Sequence, residues 1–79
     1  MLAGNKQRRE LLKSAIVYLD RVSDLISRAC DQEQDCLDNM PENLQMSDRY
    51  EQMESAIECL EDAVSHIDDA RSKIEEASV

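Results

Sequence analysis

The stretch Asn39-Met40-Pro41-Glu42-Asn43-Leu44-Gln45-Met46-Ser47 decides how this chain folds, because it holds the single proline of a 79-residue sequence. A proline disfavours the helical conformation at the residue before it and cannot donate a backbone hydrogen bond, so a helix arriving from the N-terminal side must stop near Met40. Residues 40–46 then form a short turn, with Leu44 and Met46 covering the apolar end. Ser47 is a good N-cap for a new helix, and Asp48 places negative charge at that helix's positive end.

Upstream of the turn nothing between Lys6 and Asn39 breaks a helix. Leu12, Leu19, Ile26, Glu33 and Met40 recur every seven residues, and the row three residues later is Ala15, Val22, Ala29 and Cys36. Such a seam is expected of a helix packed on another helix. Ile16, Cys30 and Leu37 widen it on one side, and Leu11, Tyr18 and Leu25 on the other. Downstream, Met53, Leu60, Ile67 and Ile74 repeat at the same interval, followed three positions later by the unbroken row Ala56, Ala63, Ala70 and Ala77. That row predicts a close approach to the partner helix. Ile57 and Val64 add a flank, which Arg71 interrupts. Helices are therefore expected over about 6–39 and 47–77, in one domain spanning 1–79.

Two helices of similar length joined by a short connection pack as antiparallel neighbours. The fold class is all-α, an antiparallel two-helix hairpin. The basic start of the first helix (Lys6, Arg8, Arg9) is expected beside the acidic end of the second (Glu75, Glu76), which favours that arrangement. A hairpin alone shares only one face, leaving Leu11, Tyr18, Leu25, Ile57 and Val64 as outer flanks in water. Self-association into a dimeric four-helix bundle would bury them.

Composition limits the function. Lys and Arg number 9 against 18 Asp and Glu, and there is no Trp or Phe. Residues 31–45 contain five acids and no base. Phosphate backbones are bound by Lys and Arg, and single-stranded bases by aromatic platforms, so direct nucleic-acid binding is not expected. No apolar run approaches the ~20 residues of a membrane span. Met1-Leu2-Ala3-Gly4 leads directly into charged sequence, unlike a signal peptide. Cys30, Cys36 and Cys59 form no C-x-x-C pair and are expected as reduced, partly buried thiols of a cytoplasmic protein.

Candidate chemistry is sparse. Glu33 at a seam position could serve as a metal ligand, but carboxylate-bridged bundles use several Glu with a Glu-x-x-His motif that is missing here. A glutamate reaching solvent near the hairpin end is the simpler reading. His66, with Asp62 four residues before and Asp69 three after, could clasp a cation on one helix face. A solvated histidine is again simpler. No Gly-rich phosphate loop or nucleophile–base pair is present. The reading is of a protein that is not an enzyme, with no catalytic, cofactor or metal residues. The alternative of a metal-dependent bundle enzyme would need acids facing inward. Glu51, Glu54, Glu58 and Glu61, continued by Asp68 and Glu75, line one outer face of the second helix. Such a rod of charge could imitate a nucleic-acid backbone and inhibit a DNA-processing enzyme; as an ordinary solvated face it keeps the protein soluble.

From about Asp31 to Ala77 the chain resembles short acidic helical-hairpin proteins encoded in prophages and mobile elements of Gram-positive bacteria. The resemblance is carried by Asn39-Met40-Pro41-Glu42-Asn43-Leu44-Gln45, then Ser47, Arg49, Met53-Glu54, Ala56-Ile57 and Leu60-Glu61-Asp62-Ala63. Tyr50 departs from the pattern, which has a smaller residue there. The resemblance implies a phage or mobile-element setting in bacterial cytoplasm and transfers no active site; a host or phage protein as partner is a separate expectation. The resulting expectation is a protein–protein interaction module. It would act as a homodimer or on another protein through the flanks Leu11, Tyr18, Leu25, Ile57 and Val64, or through Glu51, Glu54, Glu58 and Glu61.

Overall fold

The computed structural model describes the backbone of residues 2–78 and the side chains of residues 5–78. Among these residues the elements are helix α1 (Leu2–Asp38), a short 3-10 turn (Glu42–Leu44) and helix α2 (Asp48–Ala77), with no strand. The molecule measures 65 × 15 × 13 Å, the shape of one antiparallel helix pair.

The turn follows from its own side chains. Asn39 donates to the Asp35 carbonyl twice, from its backbone N–H at 3.1 Å and from Nδ2 at 2.8 Å, which closes the last turn of the ending helix. Pro41 is extended (φ -58, ψ 146) and starts the 3-10 turn, whose Leu44 N–H donates to the Pro41 carbonyl at 2.9 Å. Ser47 then caps α2. Its Oγ accepts from the Tyr50 N–H at 3.3 Å and donates to the Leu44 carbonyl at 2.6 Å. Asp48 and Glu51 occupy the first turn of α2, where negative charge is favourable.

The seam between the helices has a different phase from the one the sequence suggests. On α1 the row Leu12, Leu19, Ile26 and Glu33, continued by Met40 just past the helix end, does face α2, but its companion is the row four residues on: Ile16, Ser23, Cys30 and Leu37, all half-buried or buried. On α2 the row Met53, Leu60, Ile67, Ile74 is accompanied by Ile57, Val64 and Arg71. Leu37, Met53 and Ile57 form the most buried cluster, at 8%, 7% and 7% exposure, with Cys30, Met40 and Tyr50 packed against it.

The rows three residues on are displaced to the margin. Ala15, Ala56 and Ala63 are half-buried, whereas Val22, Ala29, Cys36, Ala70 and Ala77 are exposed. The expected close-packed alanine row is therefore a flank along its C-terminal half. Area explains the choice, because Ile57 and Val64 remove more apolar surface from water than Ala56 and Ala63.

The expected pairing of Lys6, Arg8 and Arg9 with Glu75 and Glu76 is also corrected. Lys6, Arg9 and Lys13 do lie around Ser78 at the open end. Glu75, however, pairs with Arg71, and Glu76 with Lys73 at 3.3 Å. Among the described residues, the ion pair that crosses the hairpin joins Arg71 to Asp20. Nε donates to Oδ1 at 2.7 Å and Nη2 to Oδ2 at 3.3 Å. This two-pronged contact fixes register, placing the level of residue 20 on α1 beside residue 71 on α2.

Candidate interaction surface

The five apolar residues expected on the outside divide between two environments. Leu11, Tyr18 and Leu25 are 65%, 64% and 56% exposed. Ile57 is buried and Val64 half-buried, so both belong to the hairpin's own seam and neither offers an outer surface. These larger side chains take the inward place that the alanine repeat suggests for Ala56 and Ala63.

Leu11, Tyr18 and Leu25 are joined by a row that the seam rejects. Ala15, Val22 and Ala29 alternate with them at steps of four and three residues, giving Leu11, Ala15, Tyr18, Val22, Leu25 and Ala29 as a second complete heptad seam on α1. At ~1.5 Å per residue it runs about 27 Å. Ala63, Ala70 and Ala77 accompany it on α2. In both helices these rows are offset by about 60° in the same rotational sense from the seam row. Because the helices run in opposite directions, equal offsets fall on the same side of the pair. One side of the hairpin is consequently apolar along α1 and the alanine row of α2, with Cys59, His66 and Lys73, all exposed, at its α2 edge. The other carries Lys13, Asp20, Ser27 and Gln34 from α1 and Glu54, Glu61, Asp68 and Glu75 from α2.

The carboxylates Glu51, Glu54, Glu58 and Glu61 are all exposed, and among the described residues none of the four enters an ion pair. Glu33 is half-buried within the seam. His66, Asp62 and Asp69 are exposed, and among the described residues no three His, Cys, Asp or Glu side chains are placed to hold a metal ion together. Among those residues, no helix is long and apolar enough to cross a membrane.

All three cysteines are free thiols, but only Cys30 is partly buried; Cys36 and Cys59 are exposed, contrary to expectation. Burial pushes the Cys30 thiol above its ordinary pKa, and the nearby carboxylates of Glu61 and Asp31 add to the effect. The Arg71 guanidinium is held further in its charged form by its hydrogen bond to Asp20, then by the charges of Asp20 and Glu75. This pair was missed in the sequence. Its signal was a lone arginine at a seam position, which needs an acid at the matching level of the other helix.

The chain is thus a two-helix antiparallel hairpin with one apolar and one charged side. Comparison with protein-family models, with curated proteins and with solved structures finds no match.

Proposed function

We propose that this is a non-enzymatic protein–protein interaction module whose binding surface is the apolar side of the hairpin. The observation that supports it is the exposure of Leu11, Tyr18 and Leu25 in a continuous seam on a fully formed helix. A second heptad seam is more than solubility or hairpin formation requires, and side chains of this size in water favour association. A bacterial cytoplasmic setting on a phage or mobile element, with a host or phage protein as an alternative partner, belongs to the proposal through the resemblance of the turn alone.

The test is affinity capture from extracts of the producing cells, with the wild-type chain and Leu25→Lys as baits, alongside the oligomeric state of each. A protein, or the chain itself, bound by the wild type and lost in Leu25→Lys supports the reading. Binding that is indifferent to Leu25, or no binding of any protein including the chain itself, overturns it.

A second reading is favoured by the unpaired carboxylates. Glu51, Glu54, Glu58 and Glu61 would let α2 occupy a basic groove as a nucleic-acid mimic. Competition with DNA for a DNA-processing enzyme, relieved by changing these four residues to Gln, supports it. Absence of competition removes it.

A further inference from the structure

We infer that the occupant of the apolar side is a second copy of this chain, docked antiparallel across a two-fold axis at the level of Asp20 and Ala70. The inference rests on the interaction-surface reading above and names the partner. Three independent features carry it.

The first is self-complementarity. The stripe from Leu11 to Ala29 is centred on residue 20, which is also the midpoint of α1 (Leu2–Asp38). A two-fold axis there lays the stripe on itself along its whole length. In that register Leu11 meets Ala29 of the other copy, Ala15 meets Leu25, and Tyr18 meets Val22. Every layer sets a larger side chain against a smaller one, the condition for interdigitation. The Asp20–Arg71 contact puts Ala70 at the same level on α2. Ala70 then meets its own counterpart and Ala63 meets Ala77, so the second helices approach closely where the alanines leave the hairpin's seam.

The second feature is area. The accessible surface is 6360 Å², whereas a compact monomer of 9.0 kDa exposes roughly 4,900 Å². The excess of roughly 1,500 Å² comfortably covers the ~800 Å² per partner that a standard interface removes from water.

The third is charge. Residues 31–54, around the turn, carry eight acids and one base. The open end is close to neutral: residues 5–21 hold five bases and two acids, and residues 66–78 two bases and four acids. Docking with both turns at the same end would oppose two strongly negative tips. The antiparallel arrangement sets each negative tip against a near-neutral end. Arg21 is an unfavourable element, since it flanks the stripe next to its own copy at the axis, and the nearby Asp24 is paired with Arg28 at 3.6 Å; His66 and Lys73 at the α2 edge are others.

The experiment measures mass by light scattering after size exclusion, over a wide concentration range, for the wild type, Leu25→Lys and Gln34→Lys. Gln34 is exposed on the charged side, away from the stripe, so its variant controls for added charge. The wild type and Gln34→Lys are expected at twice the 9.0 kDa chain mass, and Leu25→Lys at one chain with its circular dichroism unchanged. A monomeric wild type overturns the inference; if that monomer still captures another protein through Leu25, the interaction-module reading survives and only the identity of the occupant fails. A dimer that tolerates Leu25→Lys sinks both. Orientation is read in a Cys30→Ala, Cys36→Ser, Cys59→Ser background carrying either Arg21→Cys or Ser14→Cys. Oxidation should cross-link Arg21→Cys across the axis and leave Ser14→Cys free. Cross-linking of Ser14→Cys, or of neither, overturns the antiparallel docking.

Discussion

Leu37→Ala tests the phase of the hairpin seam, because Leu37 and Cys36 are neighbours on α1 that fall on opposite sides of the question. Leu37 is 8% exposed and packs with Met53 and Ile57, while Cys36 is exposed. Truncating Leu37 removes three carbons from a nearly dry site, worth about 2.4 kcal/mol at ~0.8 kcal/mol per carbon. Any unrelaxed cavity adds to this. A two-helix seam lies next to solvent and collapses easily, so the total should stay near the low end of the ~2–5 kcal/mol seen for such changes. For a domain of this size the melting temperature would fall by roughly 10–20 °C, at about 4–8 °C per kcal/mol. Cys36→Ala removes one exposed sulfur and should change stability by less than about 0.5 kcal/mol. Urea and thermal unfolding followed by circular dichroism at equal protein concentration compare the two variants directly. If Cys36→Ala costs as much as Leu37→Ala, the row Ala15–Val22–Ala29–Cys36 lines the seam and the packing described here is wrong.

Four further outcomes rest on individual contacts. In a double-mutant cycle of Asp20→Asn with Arg71→Gln, the coupling should be below about 1 kcal/mol and shrink in high salt, because both side chains are more than a third exposed; a coupling indifferent to salt would contradict the surface geometry. Ellman's reagent should modify Cys36 and Cys59 quickly and Cys30 slowly in the folded protein, with all three equal in denaturant. The raised Cys30 pKa also has a sign: its contribution to stability is complete below the ordinary thiol pKa and lost as pH rises through the raised value. Alkaline destabilisation should therefore be smaller in Cys30→Ala, and an unchanged alkaline limb would refute it. Ser47→Ala should lower stability by about 1 kcal/mol through loss of the α2 cap, measured by urea unfolding; an unchanged midpoint would show that the cap contributes nothing.

Much of the fold was legible because the sequence states it locally. Pro41, Ser47 and Asp48 define the turn and the start of α2 through rules that act within a few residues. The phase of the seam was harder, because α1 is apolar in the rows both three and four residues after Leu12, and either could face α2. Comparing side-chain size across the helices would have favoured Ile57 and Val64 over Ala56 and Ala63. The unbroken alanine repeat hid that preference, and Arg71 made the correct row look interrupted. Arg71 makes sense only once the register sets Asp20 opposite it, a relation across 51 positions that no local rule contains. Of the candidate surface, Leu11, Tyr18 and Leu25 were legible as a surplus of apolar residues on one helix. The companion Ala15, Val22 and Ala29 row was visible but placed in the wrong seam.

The reversal of the chain at Pro41 underlies every other claim, and pulsed electron–electron spin resonance tests it most directly. Spin labels would be placed at Gln7→Cys and Glu76→Cys, with the native cysteines replaced and labelled chains diluted in unlabelled ones. With the helices antiparallel at ~8–10 Å and Glu76 beside residue 15 in the Asp20–Arg71 register, about eight helical residues from Gln7, the backbone separation should be roughly 15 Å. A single continuous helix through the proline would place the two positions roughly 100 Å apart. The short distance is the result predicted here, and the long one would contradict it.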